Sequence, residues 1–183
     1  TCEVRATLDQ ETLEWMKKAG CRLVVVGFET IDQSVLKNIK KGIIQKNAEQ
    51  FTIDAKKAGI KVHGCFMAGN PGDTLDSLNA TLEWAIKKDF DTAQFFPLQV
   101  YPGTVAYEEQ KKAGLLKDQP YRLWVTEDGM HNMTMTKTDT GLTEKEIVNF
   151  CNKARRDFYL RPSFIFKKSL DLFTDPAEFY KNL

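Results

Sequence analysis

Residues of the kinds that usually carry chemistry are scarce. Among 183 residues there are four cysteines and two histidines. Cys2, Cys21, Cys65 and Cys151 are too scattered for a C-x-x-C or C-x-x-x-C-x-x-C, so no zinc or iron–sulfur motif is built by this chain. Scattered cysteines of this sort suggest free thiols in a reducing, cytoplasmic compartment. His63 and His131 have no partner pattern for a triad or a metal pair. There is no G-x-S-x-G, no P-loop with its lysine and no G-x-G-x-x-G. No apolar run approaches the ~20 residues that span a bilayer, and the first residues do not read as a signal peptide. Neither sign of charge dominates: 26 Lys and Arg against 25 Asp and Glu give a net +1. That leaves no electrostatic case for nucleic acid. Residue 1 is Thr, not Met, and it leads straight into structured sequence, as expected of a piece excised from something longer.

What is present is an ordinary globular composition, 42% hydrophobic and 28% charged, with enough chain for one core or a domain plus a tail. The organising stretch is Ile60 to Leu82. Lys61 to Ala68 reads as a strand buried on both faces. Pro71 followed by Gly72 is a type II turn signature, which needs a preset φ and then a positive one. Asp73 is placed to cap a helix through its carboxylate. Leu75, Leu78, Leu82, Ala85 and Ile86 then share a helical face. A strand, a glycine-rich turn and a helix follow one another, and Gly69 to Asp73 lie where α/β sheets bind ligands, with N–H groups expected to be free.

The rest of the chain repeats this grammar. Thr1 to Thr7 alternates weakly, as a first strand would. Asp9 suits a helix N-cap, with Leu13, Met16 and Ala19 on the buried side. Cys21 to Phe28 (CRLVVVGF) is a second strand of the kind covered on both sides. Asp32 or Ser34 starts a helix burying Val35, Leu36 and Ile39, and Gly42 stops it. Asn47 to Ala58 is another helix. Thr92 to Val100 is a strand whose ladder should break near Pro97. Tyr101 to Thr104 is a turn and 105–113 a helix. The tetrapeptide KKAG occurs at 17–20, 56–59 and 111–114, each time placing lysines in a last helical turn and glycine just beyond. The first two copies precede a strand, which argues for repeated αβ units. From Leu116 the alternation stops, and 119–139 reads as a loop pinned by Tyr121 and Trp124. Thr143 and Glu146 form a capping box. Ile147, Phe150, Cys151, Ala154 and Phe158 make a helical stripe that Arg161-Pro162 breaks. A last amphipathic helix over 163–172 and a turn from Pro176 complete the chain. The fold class is α/β: parallel strands in an open sheet or an arc of a barrel, with a helical C-terminal extension. About four units fall short of the ~200 residues of a full barrel.

Few positions point to chemistry by themselves. Glu29 sits just past a valine-rich strand, where a carboxylate can accept hydrogen bonds from sugar hydroxyls or pair with an amine. It could equally be a surface acid flanking a helix. Lys41 suits a helix C-terminus without any further role. His63 reads as a satisfied face residue of its strand. Phe95, Phe96 and Tyr101 could line a pocket, although strand aromatics are usually core. On the residues alone, the chain could also be a non-redox binding module that holds a phosphate or nucleotide at the 69–73 turn.

Four segments, taken together in order and spacing, resemble a known family. They are GFET at 27–30, IKKGI at 39–43, KKAGIKVHGCFMAGNPGDT at 56–74 and YPGT at 101–104. They resemble the second half of a radical SAM domain, most closely the cobalamin-dependent Fe–S oxidoreductase branch with its bacteriochlorophyll cyclase and hopanoid-type members. The likeness covers about residues 1–115, with 116–183 as a branch-specific extension. Thr30 stands for the branch's common Ser and Asp73 for its Glu, and Asn70 stands where an apolar residue is usual. The resemblance implies a partial (β/α) TIM-type barrel that binds S-adenosylmethionine (SAM) and a [4Fe–4S] cluster, with cobalamin possible. It implies cleavage of SAM to a 5′-deoxyadenosyl radical that acts on a small-molecule substrate. Carried over by position, Glu29 touches SAM, Lys41 reaches its carboxylate, Met67, Gly69 and Pro71 pack on adenine, and Arg5 faces the cofactor. The C-x-x-x-C-x-x-C cluster loop has no counterpart here. A CxxxCxxC is expected within roughly 60 residues upstream, two βα units; the chain alone is expected to be inactive and to self-associate through an open sheet edge near Thr1.

Overall fold

The computed structural model describes residues 1–117, 132, 133, 135 and 138–174. Four strands, β1 (Cys2–Val4), β2 (Leu23–Glu29), β3 (Lys61–Ala68) and β4 (Thr92–Pro97), lie side by side in chain order. Every neighbouring pair is parallel. Helices α1 (Gln10–Lys18), α2 (Gln33–Asn38), α3 (Gln45–Lys57) and α4 (Leu75–Lys87) make the crossovers. Helices α5 (Val105–Lys112), α6 (Glu144–Tyr159) and α7 (Pro162–Thr174) follow the sheet. The architecture is α/β, an open parallel arc with a helical C-terminal part.

Local signals set most helix ends. Asp9 accepts from the Thr12 N–H and Asp32 from those of Ser34 and Val35, each using a carboxylate to satisfy orphan donors. Thr143 and Glu146 close their capping box at the start of α6. All three KKAG copies end helices in the same way: Ala19, Ala58 and Ala113 are C-caps, and Gly20, Gly59 and Gly114 follow at positive φ. Arg161-Pro162 separates α6 from α7, with Pro162 at the first helical position, where its missing N–H costs nothing. Tyr121, Trp124, His131 and the turn expected from Pro176 lie outside the described residues.

Among the described residues the sheet is covered on one face, where two covered faces were expected. Burial in β2 and β3 alternates strictly, with Val24, Val26, Phe28, Val62, Phe66 and Ala68 buried and their neighbours half-buried. The helices supply one layer of apolar surface, so only every second strand residue finds a partner. On the covered face Phe28 stacks on Phe66 (centroids 5.8 Å apart) and Phe66 on Phe95 (5.1 Å). Trp84 from α4 meets Phe28 and Phe66 edge-on. Leu78, Leu82 and Ala85 face this core as expected, whereas Leu75 is exposed because it is the first residue of α4.

Helix α6 packs along β4 at the sheet's edge. Its Tyr159 hydroxyl accepts from the Ala93 N–H (3.0 Å) and donates to the Ala93 carbonyl (2.7 Å). One phenol thus satisfies backbone groups that an edge strand would leave open. Tyr159→Phe should lower stability by about 1–3 kcal/mol, the cost of leaving such groups unpaired. Urea unfolding should show a lower midpoint with an unchanged m-value, and an unchanged midpoint would show that water replaces the phenol without loss.

Candidate functional site

The half-buried face of the sheet carries the polar residues. Gly27 of β2 pairs with Cys65 of β3, which pairs with Gln94 of β4. One rung towards the amino ends lie Val25, His63 and Thr92, and the register slips between Gly27 and Glu29. Glu29 closes β2 at a φ of 65°, in the left-handed region that non-glycine residues avoid. Its carboxylate therefore leaves the strand at an unusual angle. The Lys41 ammonium donates to Glu29 Oε1 at 2.6 Å, and about a fifth to a quarter of each side chain remains exposed. The Arg5 guanidinium donates to the Lys41 carbonyl (3.0 Å), joining the end of β1 to the same corner.

Gly27 makes this corner possible. A Cβ there would stand 2.8 Å from Glu29 Oε1 and 3.2 Å from Lys41 Nζ, so any side chain would displace the pair. The place of Glu29 at the end of a valine-rich strand gives no reason to notice Gly27. A residue two places back, on the same face, is the signal that would have found it.

The other expected site residues fall in two places. Met67, half-buried, continues the open face at the carboxyl end of β3. Gly69 and Pro71 belong to a tightly held turn. The Asp73 N–H donates to the Asn70 carbonyl (3.0 Å) and Gly72 has a φ of 89°, as a type II turn demands. The Pro71 carbonyl accepts from Asn38 Nδ2 (2.9 Å), and a Cβ on Gly69 would touch Ile147 and Met133 at 3.0 Å.

Asp73 differs from its expected role. Thr74 is the N-cap of α4 and forms a capping box with Ser77. Asp73, fully buried, turns back to accept from the N–H groups of Gly69 (2.9 Å) and Asn70 (2.8 Å) and from Ser77 Oγ. Burial raises its pKa, against the hydrogen bonds that favour the carboxylate. Of the N–H groups expected to be free for a ligand, those of Gly69, Asn70 and Asp73 are thus already satisfied from within.

The comparisons with known proteins concern the family and the fold. A radical SAM superfamily profile matches residues 1–85. A protein of Pyrococcus horikoshii described as an uncharacterized methyltransferase is 32% identical over 161 residues, 88% of this chain and 34% of that protein. The profile match places residues 1–85 in the radical SAM superfamily. The bacteriochlorophyllide d C-12(1)-methyltransferase of Chlorobaculum tepidum is 30% identical to this chain over 150 residues, 81% of the chain and 31% of the relative. The chain spans about a third of the length of these curated relatives. The structure of the radical SAM methyltransferase TsrM from Kitasatospora setae superposes with a TM-score of 0.64 at 20% identity, covering 83% of this chain and 35% of that one. That likeness establishes the fold, a partial barrel whose open face here carries Glu29 and Lys41.

His63 on the same face is satisfied at both ring nitrogens, by Thr92 (2.7 Å) and Gln94 (3.2 Å). Tyr101 is exposed, Phe96 half-buried and Phe95 in the core. Burial pushes the Cys65 thiol up to about 11, helped by the Glu29 charge, and the Cys151 thiol up to about 12. Unfolded thiols ionise near 9.0, so above pH 9 the unfolded chain releases protons that the fold retains. Stability should therefore fall as pH rises from 9 to 11. Cys151→Ala should flatten that slope in chemical unfolding measured at several pH values. An equal slope in the variant would show that Cys151 does not contribute.

Proposed function

We propose that residues 1–115 form the C-terminal half of a radical SAM barrel and that 116–183 form an extension on its flank. In this reading the whole protein binds S-adenosylmethionine against the open face of the sheet. The observation that carries it is the Glu29–Lys41 pair at the carboxyl end of β2, held partly exposed over Gly27. A carboxylate there can accept from ribose hydroxyls or an ammonium, and a lysine beside it can reach a carboxylate. The donor set fits one side of SAM: Glu29 and Lys41 contact it, Arg5 steadies Lys41 through its carbonyl, and Met67 with Gly69 and Pro71 borders the adenine.

The chain's thiols do not fit a [4Fe–4S] cluster. Cys65 lies on the open face and Cys151 is buried in α6. Among the described residues no three His, Cys, Asp or Glu converge on a metal position. We place the cluster's ligands outside this chain, and cobalamin enters only as a second cofactor of the branch. With the cluster supplying an electron, the whole protein would cleave SAM to methionine and a 5′-deoxyadenosyl radical that acts on a small-molecule substrate. This chain alone would be inactive.

The test is on the whole protein, reconstituted anaerobically with iron and sulfide. Addition of SAM and a reductant should yield 5′-deoxyadenosine. Glu29→Ala, Lys41→Ala and Gly27→Ala should each weaken SAM binding by about 10- to 100-fold, the loss of one charge-assisted hydrogen bond, with the cluster's absorption unchanged. A formed cluster with no 5′-deoxyadenosine would overturn the reading. The isolated chain should in addition self-associate. Tyr159 seals the β4 edge, but Cys2 and Glu3 of β1 are exposed. Light scattering at high concentration should report a dimer or larger species, and a monomer would count against an open β1 edge.

A further inference from the structure

The amino ends of the strands, opposite the Glu29 corner, hold two thiols that the proposed function does not use. Cys2 opens β1, whose Cα partner there is Val24, and Cys21 sits two residues ahead of β2. Their Sγ atoms lie 3.8 Å apart across 19 residues of sequence. Cys2 is exposed and Cys21 half-buried, its thiol directed at the Leu23 carbonyl (3.6 Å). A disulfide requires ~2.05 Å between sulfurs, a closure of under 2 Å that a χ1 change can supply. Burial pushes the chain's two other thiols, Cys65 and Cys151, up to about 11 and about 12; Cys2 is also raised, by burial and by its contact with Cys21, but it is exposed to an oxidant.

We propose that Cys2 and Cys21 are an oxidative modification site, closing to a reversible disulfide that staples β1 to the loop entering β2. The oxidant class is a small-molecule disulfide such as oxidised glutathione. One cysteine thiolate attacks it, forming a mixed disulfide and releasing one glutathione thiol. The second thiolate attacks the protein sulfur of that bond, forming the Cys2–Cys21 link and releasing the second glutathione thiol. Two protein thiols are oxidised and one glutathione disulfide is reduced to two thiols, so electrons and protons balance. The link joins residues 19 apart, so it restricts the unfolded chain and favours the folded state.

The experiment is peptide mapping of the whole protein after anaerobic incubation with oxidised glutathione and alkylation of the remaining thiols. Trypsin cuts after Arg5, Lys18 and Arg22, so Cys2 and the Cys21 peptide (residues 19–22) separate unless linked. The expected product is a cross-linked pair of these peptides, two hydrogens lighter than their sum and separated by dithiothreitol. Cys21→Ser should abolish it and leave Cys2 capped by glutathione. In the unsubstituted protein, Tm should rise by several degrees on oxidation and return on reduction. Recovery of Cys2 and Cys21 as separately capped or alkylated peptides would overturn the proposal, and a link that leaves Tm unchanged would overturn the stapling.

Discussion

Three phenyl rings, Phe28, Phe66 and Phe95, stack in a row across β2, β3 and β4 with centroids 5.8 and 5.1 Å apart. Trp84 and Phe51 close on that row from the helices, and Phe90 fills between them. Each ring removes a large apolar area from water, about 150–250 Å² for a residue of this kind. A strand's side chains alternate with a period of two, so a one-residue slip would turn its ring to the opposite face. Fixing the rings inward therefore fixes Gly27, Cys65 and Gln94 outward, one place away on each strand. The open face owes its composition to a core it does not touch.

That constraint also accounts for the conformation of Glu29. A non-glycine residue at a φ of 65° costs about 1–3 kcal/mol. A partly exposed ion pair returns about 1 kcal/mol, so the Glu29–Lys41 contact does not by itself repay the backbone. The surplus comes from the strand pairing and ring stacking on either side of the register shift, which leave the chain no cheaper path from Phe28 to Thr30. Thr30 is itself tied down, sharing a hydrogen bond with Thr81 Oγ1 at 3.1 Å. Strain held in place by surrounding packing, at a strand's carboxyl end, is the pattern expected where a side chain must be aimed.

The features legible in the sequence are those whose causes lie within a few residues. KKAG ends a helix because lysines and a left-handed glycine act within one turn, and Pro71-Gly72 makes its turn for equally local reasons. Thr143 and Glu146 are three residues apart, and their box closes as expected. What could not be read depends on distant partners. Asp73 looks like a cap from its neighbours, yet the buried N–H groups of Gly69 and Asn70 claim its carboxylate, while Thr74 can cap α4 with a hydroxyl that needs no desolvated charge. The apolar runs of β2 and β3 suggest cover on both faces, and no residue in them says that helices supply only one layer. Tyr159 finds Ala93 across 66 residues, and Cys2 finds Cys21 across 19. Of the candidate site, Glu29, Lys41 and Arg5 converge on one corner, whereas Gly69 and Pro71 serve a turn whose contacts are with Asn38, Ile147 and Met133.

Those last contacts bear on how the C-terminal helices relate to the open face. Helix α6 runs the height of the sheet. Ile147 near its start lies against Gly69 at the carboxyl end of β3, Phe158 near its end lies against Phe95, and Tyr159 holds Ala93 near the start of β4. Beyond it, Arg161 and Lys167 both bind Asp89 ahead of β4, at 3.2 and 2.9 Å. Buried Met133 reaches the same Gly69 contact as Ile147. Met133 and the start of α6 are therefore anchored at the pole where Glu29 and Lys41 stand, and α7 at the opposite one. A change at the Gly69 turn would be transmitted to α6 through Ile147 and Met133, because close-packed side chains have no slack to absorb it. The edge seal at Ala93 and the corner at Glu29 thus lean on one helix and one phenyl row, and loosening either would be felt at both.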